Sequence, residues 1–304
     1  MEIDGDGAID VLSGSYSRKG EDMAGLFQVL RGNPDGTWRA AEPLQGTDGK
    51  ELVLPRDGDA AEVTHRICTR PFACDLDGDG HLDLVVGNFA GTFGWFRGEG
   101  GGKFAPAARW LEAEGKLLAV QLHSDPCLVD WDADGDLDLL SGAAGGGVSL
   151  SVNAGSRTEP RFTGFRELVA PAQAHHAAGA VGASMRFGDG HLKGPGSSTR
   201  VWADDVDGDG VLDLLVGDTV TLVHVVDGVE EAAARRFHAE WEPRQDALMK
   251  DLQEGANRGE EFMKGWRERM EALDAERARF LREEMTGFVW LLRGKAAPKP
   301  ASPR

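Results

Sequence analysis

The sequence predicts an all-β fold built from repeats, with an α-helical hairpin near its C-terminal end. A pattern of alternating aspartates, a glycine turn and a short apolar run occurs four times in one register. After residue 228 the strand pattern gives way to charged helical stripes, and a strand pattern returns at residue 287. The 42 glycines and many short apolar runs favour a repeat architecture with tight turns over an α/β enzyme.

Each copy of the pattern begins with what we call an acidic loop. The copies are EIDGDGAIDVLSG, DLDGDGHLDLVVG, DWDADGDLDLLSG and DVDGDGVLDLLVG. Their first nine positions form the first (residues 2–10), second (75–83), third (130–138) and fourth (205–213) acidic loops. Carboxylates at positions 1, 3 and 5 converge on one point when the backbone winds tightly around it, and the glycine at position 6 permits that turn.

The acidic loops predict up to four calcium sites, because hard oxygen ligands in this number suit Ca²⁺. Position 7 varies freely, as expected if only its backbone carbonyl is used, and position 9 adds a carboxylate. The predicted ligands are Glu2, Asp4, Asp6, Ala8 and Asp10 in the first loop, Asp75, Asp77, Asp79, His81 and Asp83 in the second, Asp130, Asp132, Asp134, Asp136 and Asp138 in the third, and Asp205, Asp207, Asp209, Val211 and Asp213 in the fourth.

Two other interpretations of the loops are weaker. Plain Asp/Gly turns are common between strands. However, acidic residues occupy 51 of 304 positions, so acidic residues would not fall on every carboxylate position by chance. An EF-hand opens with the same DxDxDG but requires a bidentate Glu at position 12. This chain has Ser13, Val86, Ser141 and Val216 there.

The residues after each loop predict a short buried strand. Positions 8, 10 and 11 are Ile, Leu or Val in every copy, and position 13 is always Gly. Loop and strand together resemble the FG-GAP or VCBS repeats of integrin-alpha-like β-propellers, whose signature is DxDxDGxxDLxxG. The resemblance implies a β-propeller with four recognisable blades, N-terminally incomplete, with calcium held between the first two strands of each blade. Glu2 departs from the signature, which has Asp at position 1.

The first two blades can be followed strand by strand. In blade one, the strand after the loop is followed by GLFQVLRG (residues 25–32), an Asn-Pro-Asp-Gly turn and TWRAAEPL (37–44) as the outer strand. In blade two, VTHRICTRPFAC (63–74) leads into the loop, and GTFGWFRG (91–98) and KFAPAARWLE (103–112) follow it.

Blades three and four are separated by a long connection. In blade three, VSLSVNAG and EPRFTGFREL follow the loop, and NAGSRTEPRF (153–162) resembles the link found after many of these repeats. Residues 170–200 lack strand or helix periodicity, and such connections are functional or disordered. Blade four continues through residue 226, and GFVWLLRG (287–294) is expected to return as another of its strands.

Residues 229–285 are predicted to form a helical hairpin inserted in the last blade. Apolar residues at helical spacing include Phe237, Trp241 and Leu248, then Phe262, Trp266, Met270, Leu273 and Phe280. We expect the hairpin to pack along the propeller rim or to dock a partner as a coiled coil. The predicted organisation is therefore blades over 1–228, the hairpin over 229–285, a returning strand over 286–295 and a disordered tail over 296–304.

Composition limits the partners. The formal charge of −18 argues against nucleic acid, and no run approaches the length of a membrane span. Three cysteines do not make a disulfide framework; a Cys68–Cys74 pair is one alternative, but free buried thiols are expected. Met1 stands directly before a loop, so the strand expected ahead of it is missing, and we infer a truncated N-terminus or a misplaced start. A signal peptide is presumed lost with it.

The sequence favours a non-enzymatic, calcium-stabilised module that works outside the cytoplasm, in the extracellular space, the periplasm or at the cell surface. It would bind a protein or polysaccharide ligand in adhesion or as a scaffold. The alternative is a polysaccharide-active enzyme, such as a lyase, which needs a base and a charge-neutralising group in one cleft. Its candidate residues are His65, His123, His175, His191 and the single tyrosine, Tyr16.

Overall fold

A computed structural model describes residues 1–17, 23–56, 58–171, 194–255 and 258–295. Within these residues the chain forms nineteen strands, two 3-10 helices and two α-helices. The strands are β1 (Val11–Gly14), β2 (Phe27–Leu30), β3 (Glu42–Pro43), β4 (Arg70–Cys74), β5 (Asp83–Gly87), β6 (Phe93–Phe96), β7 (Gly98–Gly100), β8 (Lys103–Phe104), β9 (Arg109–Trp110), β10 (Glu112–Ala113), β11 (Lys116–Leu117), β12 (Asp125–Val129), β13 (Asp138–Gly142), β14 (Val148–Ser151), β15 (Arg166–Val169), β16 (Ser197–Asp204), β17 (Asp213–Val225), β18 (Leu281–Thr286) and β19 (Val289–Leu292). The helices are α1 (Glu231–Gly255) and α2 (Glu260–Arg277), and the 3-10 helices are Gly58–Ala60 and Val63–Arg66.

The strands form several small antiparallel sheets. The first sheet has the order β1-β2-β3, the second β4-β5-β6-β9 and the third β12-β13-β14-β15. In the fourth sheet β17 lies between β16 and its later partners, β18 and β19, and β7-β8 and β10-β11 are separate pairs. The second, third and fourth acidic loops each join the first two strands of their sheet, while the first loop precedes β1.

The central strands bury both faces, which explains the continuous apolar run after each loop. In β5, Leu84 and Val86 belong to a core cluster shared with the first sheet, while Val85 belongs to a cluster shared with the third sheet. In β13, Leu139 faces the cluster with the second sheet, and Leu140 faces a third cluster with β16 and β17. Because successive side chains alternate between faces, adjacent apolar positions are needed to pack each sheet against both neighbours.

A buried hydroxyl links each of the later sheets to the sheet before it. Ser124 lies six positions before the third loop, and its Oγ accepts a hydrogen bond from Asn88 N at 2.8 Å and donates to Thr92 O at 2.7 Å. Thr69 bonds Ser15 and Leu26 in the same way, and Thr199 bonds Ala143 and Gly147. In each case, therefore, a hydroxyl at or next to the start of the strand before an acidic loop bonds to a turn in the preceding sheet.

The glycine at position 13 is required by this junction. A Cβ added to Gly87 would lie 2.3 Å from Ser124 O, and one added to Gly142 would lie 2.1 Å from Thr199 O. At Gly217, the matching residue of the fourth copy, the nearest atom would be Arg200 Cβ at 3.8 Å. The backbone of the following sheet thus passes directly over Gly87 and Gly142.

The chain divides into two compact units, of which the first contains the first three sheets and the acidic loops. It comprises Met1–Ala170, Ser198–Gly217 and Val289–Arg304. In this unit the start of β17 pairs with β19, so that Gly217 lies opposite Val289 and Leu214 lies opposite Leu292. The strand predicted over residues 287–294 therefore pairs with the strand that follows the fourth loop.

The second unit contains the two-helix hairpin near the C-terminus. It comprises Pro171–Ser197 and Asp218–Phe288. The indole Nε1 of Trp241 in α1 donates to Leu273 O of α2 at 3.0 Å, and Trp266 Nε1 of α2 donates to Leu248 O of α1 at 2.7 Å. Two tryptophans of the predicted stripes thus link α1 to α2, and Pro243 lies inside α1.

Several element boundaries differ from the sequence expectation. The helical segment expected to continue to residue 285 ends at Arg277, because residues 281–286 form β18 and pair with the end of β17. The outer strand expected over 103–112 is divided among short strands around Pro106, whose nitrogen has no hydrogen to donate to a ladder. The strand expected from residue 63 begins at Arg70, after a 3-10 helix.

Three further predictions concern the cysteines, membrane-spanning helices and the segments at 170–200 and 296–304. Cys68, Cys74 and Cys127 are free thiols. No helix in the described part of the chain is both long and apolar enough to cross a membrane. Most of the connection over residues 170–200 and the tail from residue 296 lie outside the described residues.

Candidate metal centres

The acidic loops wind tightly because two positions adopt left-handed backbone conformations. In the second loop Gly78 at position 4 has φ +67° and Gly80 at position 6 has φ +86°. The third loop has Gly135 at position 6 with φ +99°, but a non-glycine residue, Ala133, at position 4 with φ 62°. The requirement at position 6 was predicted from the sequence. The requirement at position 4 was not, although glycine occupies that position in three of four copies.

The same backbone hydrogen bonds shape every loop. The carboxylate at position 1 accepts a bond from the N–H at position 6, as in Gly80 N to Asp75 Oδ2 at 3.2 Å and Gly210 N to Asp205 Oδ2 at 2.8 Å. The carboxylate at position 5 accepts from the N–H at position 7, as in His81 N to Asp79 Oδ1 at 2.9 Å. In the first loop Glu2 Oε1 accepts from Gly7 N at 2.6 Å, so the longer side chain serves the same turn.

Three loops bring their carboxylates at positions 1, 3 and 5 together. Each triad offers one oxygen per residue, with all three oxygens within 4.8 Å of one another. The triads are Asp75, Asp77 and Asp79; Asp130, Asp132 and Asp134; and Asp205, Asp207 and Asp209. Glu2, Asp4 and Asp6 of the first loop do not form such a group. In three of the four loops, therefore, the carboxylates predicted at positions 1, 3 and 5 lie close together.

The aspartate at position 9 lies beneath the loop and ties it to a strand end. In the third loop Asp138 Oδ2 accepts from Trp131 N at 3.0 Å, and its Oδ1 accepts from Asn153 N at 2.8 Å. Asp10 and Asp83 make the same pair of bonds, and Asp213 Oδ1 accepts from Gly294 N. These carboxylates are buried, and burial raises the pKa of Asp83 to about 6. The structure gives position 9 a fixed role in the fold, beside its predicted role as a ligand.

Position 7 differs from loop to loop, as expected for a backbone ligand. The side chain of Ala8 is buried, that of His81 is exposed and that of Val211 is partly exposed. Asp136 is buried at this position of the third loop and adds a fifth carboxylate. Burial, followed by repulsion from Asp134, Asp138, Asp132 and Asp130, raises the pKa of Asp136. The third loop therefore concentrates negative charge most strongly.

Unpartnered buried oxygens show that the loops fit a cation. Asp75 Oδ1 and Asp77 Oδ1 of the second loop and Asp136 Oδ1 of the third are buried and have no hydrogen-bond partner among the described residues. A buried acceptor without a donor is costly, and a carboxylate oxygen in that position is satisfied by a metal ion. Several such oxygens in one tight loop suit a hard divalent cation of calcium's size.

Arginines at a strand end also contact the loops, a feature that the sequence analysis missed. Arg97 follows β6 and places Nε 2.6 Å from Asp77 Oδ2 and Nη2 2.8 Å from Asp79 Oδ2. Arg31 places Nη1 3.1 Å from Asp4 Oδ2, and Arg293 pairs with Asp207. The available signal was the dipeptide Arg-Gly that directly follows β2, β6 and β19.

The residues considered for a lyase site do not form one described cluster. His65 Nδ1 lies 2.9 Å from Thr92 Oγ1, and burial lowers the pKa of His65. His123 Nδ1 lies 3.1 Å from Arg70 Nη2; burial, followed by Arg70 and Arg200, lowers the pKa of His123. Tyr16 is 64% exposed, and His175 and His191 lie outside the described residues.

Fold and loops together define a mostly β repeat protein, in which acidic loops lead into small antiparallel sheets. Comparison with known families identifies the repeat: residues 75–141 match the FG-GAP-like repeat. This match runs from the second acidic loop through the third and confirms the resemblance there. No curated protein matches the chain at a significant level.

Proposed function

We propose that the chain is a calcium-binding β-propeller module that works outside the cytoplasm, where it binds a protein or polysaccharide ligand in adhesion or as a scaffold. The observation that carries the calcium assignment is the convergence of three equivalent carboxylate triads. Buried, unpartnered oxygens of Asp75, Asp77 and Asp136 in two of these loops support it. The calcium is structural in this proposal, because the ligands come from one short loop between two strands. Extracellular calcium levels would keep sites of moderate affinity filled.

The propeller arrangement is supported by the way in which consecutive sheets are joined. Three core clusters are each shared by two consecutive sheets, and the hydroxyls of Thr69, Ser124 and Thr199 repeat at the junctions. The FG-GAP-like match over residues 75–141 also favours propeller blades. A crystal structure grown in calcium tests the arrangement: sheets radiating around one axis support it, and a linear stack contradicts it.

Calcium removal is the direct test of the proposed function. Thermal unfolding should shift to higher temperature in CaCl₂ than in EGTA, since each site with free calcium at 100 times its Kd adds about 2.7 kcal/mol. Isothermal titration calorimetry measures the binding itself. Equal melting temperatures in both buffers, together with no heat of binding, would contradict the proposal.

A matched pair of variants links the effect to the loops. Asp134→Asn keeps an oxygen to accept the Asp136 N–H, a bond of 3.1 Å in the wild type, but removes one ligand charge. This variant should lose part of the calcium-induced stabilisation. Asp48→Asn changes an exposed turn aspartate outside the loops, whose carboxylate accepts from Lys50 N, and should respond to calcium as the wild type does.

A further inference from the structure

The four acidic loops differ in how much of their negative charge the protein itself neutralises. In each repeat the residue that donates its N–H to Oδ1 of the position-9 aspartate lies two residues after β2, β6, β14 or β19, the strand that pairs with the one following the loop. The preceding residue is Arg31, Arg97 or Arg293 in the first, second and fourth repeats, but Val152 in the third. The third loop thus provides an internal comparison.

The arginine contacts fall on the predicted calcium ligands. The guanidinium of Arg97 spans positions 3 and 5 of the second loop, with distances of 2.6 Å to Asp77 Oδ2 and 2.8 Å to Asp79 Oδ2. Arg157 Nη2 lies 3.1 Å from Asp75 Oδ2, so every member of this triad contacts an arginine. Arg293 Nη1 pairs with Asp207 and lies 3.7 Å from Asp213 Oδ2 in the fourth loop.

The third loop has the opposite charge balance. It contains five aspartates, including the additional Asp136, and within the residues that the structure describes none of the five forms an ion pair. Val152, at the arginine position, is instead a partly buried member of the core cluster shared with β16 and β17. Among the described residues, therefore, no cation pairs with these carboxylates to offset their mutual repulsion.

We propose that Arg31, Arg97 and Arg293 are internal counter-cations that weaken calcium binding in their loops and hold those loops folded without calcium, whereas the third loop is the tight, calcium-dependent site. The proposal rests on the calcium function proposed above. Its physical basis is that a fixed positive charge a few ångströms from the ligands repels an incoming Ca²⁺ and attracts the empty carboxylates. The oxygens left unpartnered, such as Asp75 Oδ1 and Asp77 Oδ1, still allow calcium to bind beside the arginine.

Calorimetric titration of the calcium-free full chain with CaCl₂ tests the hierarchy. The wild type should show one site that binds calcium at least about tenfold more tightly than the others, as expected when a nearby unit charge is absent. Binding without a tight class would overturn the hierarchy while leaving the calcium function intact. Absence of any calcium binding would instead contradict the proposed function and the hierarchy with it.

Two variants with uncharged controls assign the effect to the arginine. Val152→Arg should weaken the tight site about tenfold and raise the melting temperature in EGTA, whereas Val152→Met should do neither. Arg97→Met should tighten binding in the second loop and lower the melting temperature in EGTA. This second variant tests the idea independently if Val152→Arg fails to fold, and the circular dichroism spectrum in calcium checks the fold of each.

The decisive result is that calcium affinity and the melting temperature in EGTA change in opposite directions. Arg97→Met must strengthen calcium affinity while reducing calcium-free stability. Loss of stability with unchanged calcium affinity would show that Arg97 serves only as a structural ion-pair partner, and the proposal would be overturned. Weakened affinity in Arg97→Met would overturn it as well.

Discussion

At the scale of single residues, the junctions between sheets depend on two small groups in contact. The hydroxyl of Ser124 fills a turn of the second sheet, and its backbone carbonyl lies against Gly87 of the same sheet. Thr199 and Gly142 repeat this arrangement between the third and fourth sheets. Position 13 of these two repeats therefore has no room for a side chain while the backbone of the next sheet lies this close.

Substitution of these glycines should be costly in a position-specific way. Gly87→Ala and Gly142→Ala should each destabilise the protein by about 1–3 kcal/mol, because the new methyl group collides with a backbone carbonyl that has little freedom to move. Gly217→Ala, whose methyl group meets only Arg200 Cβ at 3.8 Å, should stay within about 0.5 kcal/mol of the wild type. Urea unfolding measures all three, and equal losses would contradict the contact argument.

At the scale of the element, the second, third and fourth acidic loops each contain two different kinds of aspartate. Positions 1, 3 and 5 converge on the predicted ion, whereas position 9 receives backbone N–H groups from the start of the loop and from a strand end. Of the first kind, Asp132 at position 3 of the third loop should matter mainly when calcium is bound. The second kind should matter to the fold with or without the ion.

The third loop is the best place to test these roles, because no arginine among the described residues forms an ion pair with its aspartates. Asp132→Asn should reduce calcium-induced stabilisation but leave the melting temperature in EGTA unchanged or higher, since it removes a repelling charge. Asp138→Asn should cost about 1–3 kcal/mol in EGTA as well, because one of two buried N–H groups loses its acceptor. Denaturation curves in calcium and in EGTA distinguish the two, and similar behaviour of both variants would contradict the division of roles.

The sequence predicted the loops well because ligand chemistry fixes residue type and spacing at the same time. It did not reveal the junction role of Ser124 and Thr199, because the partners of these hydroxyls belong to a neighbouring sheet whose position the sequence pattern does not give. Arg97 was missed for the same reason. Strand β18 was assigned to the helix because Arg282, Glu283 and Glu284 are exposed and give no alternation of apolar and polar residues.

At the scale of the whole molecule, the fourth sheet is assembled from distant parts of the chain. Gly217 and Val289 lie opposite each other in the antiparallel pair, although residues 218–288 separate them in sequence. Residues 218–288, which include the helical hairpin and β18, thus connect two paired strand ends that a tight turn could join directly.

This arrangement predicts that the hairpin can be removed. Replacing residues 218–288 by Asn-Gly joins the paired ends through a two-residue turn, and the product should retain calcium binding and a cooperative transition. A second variant with a longer Gly/Ser linker controls for strain in the tight turn. Aggregation of both proteins, or loss of calcium binding in both, would show that the sheets require the second unit.

The hydroxyl junctions also determine how disorder spreads through the first unit. Thr69, Ser124 and Thr199 each satisfy a turn in the preceding sheet. Their own N–H groups donate to Ser15 O, Asn88 O and Ala143 O of that sheet, so the two sheets at each junction depend on each other. Loosening of either sheet exposes unsatisfied backbone groups in its neighbour, and fraying would pass from sheet to sheet as it does along a row of nearest-neighbour repeats. Amide hydrogens in the turn over residues 88–92 should therefore exchange with solvent as soon as Ser124 moves away.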